Sequence, residues 1–118
     1  MKPTAKHRWA ALCALPLLLA GPAQAGDILN VKITQVSPDK DGKVVLYVDR
    51  ARTNKAACAQ SDVTYSVNAT TAGGQAMLSA IYTAIAADLP VDIVGSSLCA
   101  EYSNTESIGY VSLHRRGG

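Results

Sequence analysis

The sequence predicts a mostly β domain: a five-stranded OB-fold-like barrel of order β-β-β-α-β-β, with one helix between the third and fourth strands and one disulfide. Three observations predict it. They are short apolar runs that alternate with period two, one small-residue segment with apolar residues at helical spacing, and a pair of cysteines flanking that segment. Three strands, a helix and two strands is the order of the OB-fold, a partly open Greek-key barrel in which the helix plugs one end. A layered α+β sheet and an irregular β-sandwich are the competing architectures.

Leu29, Val31 and Ile33 alternate with Asn30, Lys32 and Thr34, which reads as a strand with one buried face. The cluster SPDKDG follows as a turn in which Pro38 sets φ and Gly42 takes a positive one. Lys43 to Val48 is more continuously apolar and therefore more central, and closes a hairpin. Asp49 to Gln60 reads as a polar loop carrying Cys58. Val63, Tyr65 and Val67 alternate with Thr64, Ser66 and Asn68 as the third strand. Thr70 or Thr71 then caps a helix whose apolar stripe is Met77, Leu78, Ile81 and Ile85, the plug of the barrel. Its other positions are Ala, Ser and Thr with almost no charge, which implies cover on more than one side. Asp88 and Pro90 end it, because proline disfavours helical backbone in the residue before it. Val91 to Val94, a loop from Gly95 to Thr105 with Cys99, and Ile108 to Leu113 complete the order.

At the start of the chain Lys2, Lys6, His7 and Arg8 precede an apolar run from Trp9 to Ala20, and Ala23 and Ala25 bracket Gln24. This is the pattern of a secretory signal peptide over residues 1–25, cut after Ala25, leaving 26–118 as a single domain. The run is shorter than the roughly 20 residues a membrane span needs, and Cys13 stands outside a lipoprotein box, so no membrane anchor is expected. The location expected is periplasmic or secreted. Only Cys58 and Cys99 remain after cleavage, and in an oxidising compartment they pair.

Processing also changes the charge. The chain has 11 Lys+Arg and 9 Asp+Glu, and loss of Lys2, Lys6 and Arg8 leaves the product with net charge −1. Such a domain lacks the field of a nucleic-acid binder. Its remaining basic groups, Arg50/Arg52/Lys55 and His114/Arg115/Arg116, read as a solvated loop and a solvated tail.

The cysteine before the third strand, the helix GGQAMLSAIYTAIAADLP, the strand VDIVG and the second cysteine in SSLC together resemble the small secreted bacterial proteins related to the B subunits of pentameric toxins, subtilase cytotoxin's B subunit in particular. The resemblance spans most of the mature chain and lies in element order and cysteine placement. It implies an OB-fold that assembles as a ring, a pentamer, and binds glycans. No glycan-binding motif matches residue by residue, so no site residue is carried over. In those systems the enzyme is a separate chain.

Little in the sequence points to catalysis. The mature chain has one histidine, His114, and no Gly-x-Ser-x-Gly elbow, so a nucleophile would lack a well-held base. The acids Asp49, Asp62, Asp92, Glu101 and Glu106 read as surface solvation. DKDG at Asp39 to Gly42 lacks the later ligands of a calcium loop, and the His and Cys cluster needed for zinc is missing. No cofactor or metal is expected. Tyr102 is the only aromatic after Cys99, and Ser103, Asn104 and Thr105 beside it can hydrogen-bond hydroxyls, which makes these four the candidate ligand contacts. The competing reading is a polar loop pinned by the disulfide. The expectation is an exported, non-enzymatic binding protein, oligomeric by resemblance, with a glycan or protein ligand. Its alternatives are a periplasmic inhibitor or stress-associated protein that blocks an enzyme, and a small hydrolase.

Overall fold

In the computed structural model, which describes residues 25–115, the first predicted strand is two strands. β1 (Ile28–Val31) and β2 (Ile33–Pro38) part at Lys32, followed by β3 (Lys43–Val48), β4 (Thr64–Asn68), α1 (Ala72–Ala87), β5 (Val91–Gly95) and β6 (Ile108–Leu113). The fold is mostly β, with six strands in two antiparallel sheets ordered β1-β5-β6 and β2-β3-β4. The helix lies between the fourth and fifth strands, and the sheets do not close into a barrel. Residues 1–24 of the predicted signal peptide, and Arg116, lie outside the described residues.

A bulge explains why the alternation of the first strand misleads. Asn30 has φ +54°, and the register of β1 on β5 shifts between Ile28 and Val31. Asparagine tolerates the left-handed region, and the extra residue puts Ile28 and Val31 on the same side. Leu29, expected inside, is 60% exposed, while Ile28 is buried. The backbone N–H of Asn30 donates to Asp92 Oδ1 at 2.7 Å and fixes the bend. Asp92 in turn is held below the ordinary carboxyl range, first by that N–H and then by His114.

Between β2 and β3 the turn is shorter than its sequence signals imply, because Ser37 and Pro38 pair with Val45 and Val44 as the end of β2 and residues 39–42 alone make the turn. Gly42 has φ +81°, and Asp39 Oδ1 accepts from the backbone N–H groups of Asp41 and Lys43. β3 is central in its sheet, as its apolar run requires, with Val44, Leu46 and Val48 buried. β4 departs from expectation, since Thr64 and Ser66 are buried as well as Tyr65 and Val67. The loop before β6 covers that second face. Ser66 pairs in parallel with Ser107, and the Ser66 N–H donates to the Glu106 carbonyl at 2.9 Å, the one ladder-like contact between the sheets on this side.

Thr71 caps α1 by accepting from the Gly74 N–H at 2.9 Å. A Cβ at position 74 would lie 1.7 Å from the Asn68 carbonyl oxygen, so only glycine lets the helix start this close to β4. Asp88, at φ +55°, takes the left-handed cap, and its N–H reaches the Ala84 and Ile85 carbonyls. The buried stripe is Gly74, Leu78, Ile81 and Ala84. Ile85, assigned to the stripe by its spacing from Ile81, is 43% exposed, and Met77 is half-buried. The uncharged face expected to be covered is exposed: Gln75, Ala76, Ser79, Tyr82, Thr83 and Ala86 all face out.

Inside, Val31, Val44, Leu46, Tyr65, Val67, Ile81, Val91 and Ile93 are each at most 2% exposed and form one core with α1. Cys58 and Cys99 are bonded, 41 positions apart, and tie the β3–β4 loop to the β5–β6 loop. By the chain-entropy model this cross-link is worth roughly 4 kcal/mol. Cys99→Ala is expected to lower unfolding stability by about 2 to 5 kcal/mol, measured by urea titration under non-reducing conditions. A variant as stable as the parent would show that the loops hold each other without the bond.

Candidate functional site

Three connections meet at the candidate site: the β2–β3 turn, the loop 49–63 and the loop 96–107. Tyr102 comes from the third and is half-buried. Its hydroxyl donates to Asp39 Oδ2 at 2.6 Å, and the Lys43 ammonium stands 6.0 Å from its ring centroid. That bond raises the Tyr102 hydroxyl to about 12, with burial and the charges of Asp39, Asp41 and Glu101 adding to it. The same bond, then the Lys43 backbone N–H, holds Asp39 below its ordinary value. Asp39 is therefore a carboxylate and Tyr102 a phenol across neutral pH, and the pair is a fixed strut between the turn and the loop.

Tyr102 and Thr105 bridge each other around a tight turn whose tip is Ser103-Asn104. Ser103 and Asn104 are exposed, and the Asn104 carbonyl accepts from Gln60. Thr105 is only 8% exposed and its hydroxyl donates to Asn104 Oδ1. Of the four predicted contacts, Tyr102, Ser103 and Asn104 therefore share one outer edge, while Thr105 faces inward as the support of the turn. On the same loop Leu98, next to the disulfide, is 63% exposed.

The loops 49–63 and 96–107 also enclose a charged cluster of residues expected in solvent. Arg52 is 5% exposed and Glu106 is fully buried. Glu106 Oε1 accepts from the Ala56 N–H at 2.9 Å, and Oε2 from Gly26 at 2.9 Å and Ser97 at 3.1 Å. Arg52 Nη2 is 3.5 Å from Glu106 Oε1, Nη1 donates to the Thr64 carbonyl at 3.0 Å, and the guanidinium lies 4.2 Å from the Tyr65 ring centroid. Among the described residues Nε and Nη2 of Arg52 find no hydrogen-bond partner. The Tyr65 hydroxyl donates to the Gly26 carbonyl at 2.6 Å, and burial pushes its ionisation far above the ordinary range against the pull of Arg52. The loops bury Arg52 and Glu106 because one carboxylate can gather three backbone N–H groups from three segments that no strand satisfies. Nothing local in the sequence marks Arg52 and Glu106 as partners. The only trace is two glycines, Gly26 and Gly95, whose positions leave no room for a Cβ beside Glu106.

The other basic groups are on the surface but not idle. Arg50 donates to the Leu29 and Asn30 carbonyls, Lys55 pairs with Asp62 at 2.8 Å, and Lys32 pairs with Asp88 at 2.9 Å. His114 Nε2 lies 2.7 Å from Asp92 Oδ2. Among the described residues no group of three or more His, Cys, Asp or Glu is placed to hold a metal ion. No described helix is long and apolar enough to cross a membrane. The Ser66 hydroxyl donates to Glu101 at 2.8 Å, but Ser66 is fully buried. An open groove of about 350 Å³ runs between α1 and β6, lined by Gly73, Ala76, Met77, Ala80, Tyr110 and Val111.

Compared with known proteins, the chain matches no family model, no curated protein and no solved structure.

Proposed function

We infer that the chain is an exported, non-enzymatic binding protein that recognises a glycan or a protein through the edge formed by Tyr102, Ser103 and Asn104. The observation that carries this reading is the bracing of that edge. The Tyr102 strut to Asp39, the Gln60 bond and the Cys58–Cys99 bridge hold an aromatic ring and exposed hydroxyl and amide groups on loops that cannot rearrange freely. A pre-set ring beside hydrogen-bonding groups is what a sugar face and its hydroxyls require, because little ordering entropy is lost on binding.

An OB-type scaffold fits the order in which strands neighbour one another. Going round from β1 through β5 and β6, the Ser66–Ser107 bridge leads to β4, then β3 and β2, and the bend at Lys32 returns to β1. That cyclic order is the one an OB-fold would have if its first strand were bent into two. The resemblance to toxin B subunits adds ring assembly to the reading, and the uncharged outer face of α1 with the adjoining groove is compatible with a second copy as neighbour.

A second reading rests on Leu98. An exposed apolar side chain beside a disulfide is what an inhibitor inserts into an enzyme cleft, and Leu98 has that placement. A glycan array separates the two. Tyr102→Ala is expected to weaken binding by about 1 to 3 kcal/mol, and Tyr102→Phe, which keeps the ring but loses the strut to Asp39, by less. An array without any hit discards the glycan, and Tyr102→Ala binding like the parent discards this edge. Light scattering on the purified protein decides the ring.

A further inference from the structure

The exported reading has a consequence at Gly26, on which the following rests. Gly26 is buried, its N–H donates to Glu106 Oε2 at 2.9 Å, and its carbonyl accepts from the Tyr65 hydroxyl at 2.6 Å. A Cβ at this position would stand 2.5 Å from Arg52 Nε, 2.6 Å from Glu106 Oε1 and 2.7 Å from the Asn54 carbonyl oxygen. The cradle therefore takes glycine alone, and it takes the residue that follows Ala23-Gln24-Ala25.

We propose that cleavage after Ala25 converts the Gly26 amide nitrogen into an α-ammonium that pairs with the buried Glu106 carboxylate, so that the new N-terminus locks the loop cluster of the mature protein. A leader peptidase would supply the hydrolysis. Water adds across the Ala25–Gly26 bond, its oxygen staying on Ala25 as carboxylate and protons going to the Gly26 nitrogen. Because Gly26 is enclosed once docked, the cut precedes docking. The exchange turns a neutral donor into a charged one at the same carboxylate oxygen, so a hydrogen bond that already has an ionised acceptor gains the attraction of an ion pair.

The groups facing the ammonium are Glu106 from the loop before β6, Arg52 from the β3–β4 loop, the phenol of Tyr65 on β4, and Asp27, its exposed neighbour in the chain. Two cations meet two carboxylates, and Glu106 is the one within hydrogen-bond distance of the terminal nitrogen. Pairing with Glu106 raises the amine's pKa in the folded state, against the opposing effects of burial and of Arg52. Its stabilisation is thus complete below the unfolded value of roughly 7.7 to 8.0 and lost as the pH rises through the folded value.

The test has two parts. First, the full chain is expressed with its own leader in a bacterium, and the exported protein is weighed and sequenced from its N-terminus. Gly26 as the first residue is expected; a retained leader or a cut elsewhere overturns the processing step and the proposal with it. Second, protein beginning at Gly26 is compared with protein beginning at Ala25, both released from the same cleavable fusion. At pH 6.5 the Gly26 form is expected to melt higher by about 5 °C, with the gap narrowing at alkaline pH. Equal melting, or a gap that ignores pH, overturns the ionic lock while leaving the export reading untouched.

Discussion

Glu106→Ala is expected to leave the protein largely unfolded at room temperature. Substitution removes the acceptor of three backbone N–H groups, those of Gly26, Ala56 and Ser97, and strands Arg52 in the interior without its counter-charge. Breaking a buried ion pair from one side costs about 3 to 5 kcal/mol, and each orphaned buried donor adds about 1 to 3 kcal/mol. A domain of this size has roughly 5 to 15 kcal/mol in all. Glu106→Gln should be damaging as well, though less so. Its carbonyl oxygen can serve either the Ala56 and Arg52 side or the Gly26 and Ser97 side, and its amide then presents donors to donors on the other. Urea titration followed by circular dichroism orders the three proteins; an alanine variant within 1 kcal/mol of the parent would mean that the loops close without this carboxylate.

The same cluster shows what can and cannot be read from the chain. Elements governed by local chemistry were legible. The apolar runs predict Lys43–Val48 and Ile108–Leu113 with the bounds they have, the helix stop at Asp88 follows from its neighbours, and the expected pairing of Cys58 with Cys99 is present. Features that depend on distant residues were not. Glu106 serves Gly26 from 80 positions away, and Tyr102 reaches Asp39 from 63, so a polar loop reads as solvated until its partners are known. The Asn30 bulge is a third kind of failure. A single left-handed residue shifts the face of everything before it, and alternation carries no sign of it. For the candidate edge, the sequence identified Tyr102 as an aromatic in a polar loop, while the strut that braces it and the inward turn of Thr105 came only with the fold.

The helix offers the second large effect, through Ile81→Asp. Ile81 is fully buried on the inner face of α1, in the same core as Leu46, Tyr65 and Val67. An aspartate there loses the packing of the isoleucine and brings a carboxyl that no core neighbour is available to pair. The carboxyl escapes part of the charge penalty by staying protonated, but it still lacks a hydrogen-bond partner. Lost burial costs about 2 to 5 kcal/mol and the unsatisfied polar group several more, which together approach the whole stability of such a domain. Thr83→Asp is the control. Thr83 lies two residues away on the exposed face, where its hydroxyl donates to the Ser79 carbonyl, and an aspartate there loses that bond and little else. Its cost should stay within about 1 kcal/mol. The expected result is an Ile81→Asp protein without a cooperative thermal transition beside a Thr83→Asp protein that melts within a few degrees of the parent. Because the two positions differ in facing and hardly at all in sequence distance, equal tolerance would mean that the helix does not pack on the sheets through Leu78, Ile81 and Ala84.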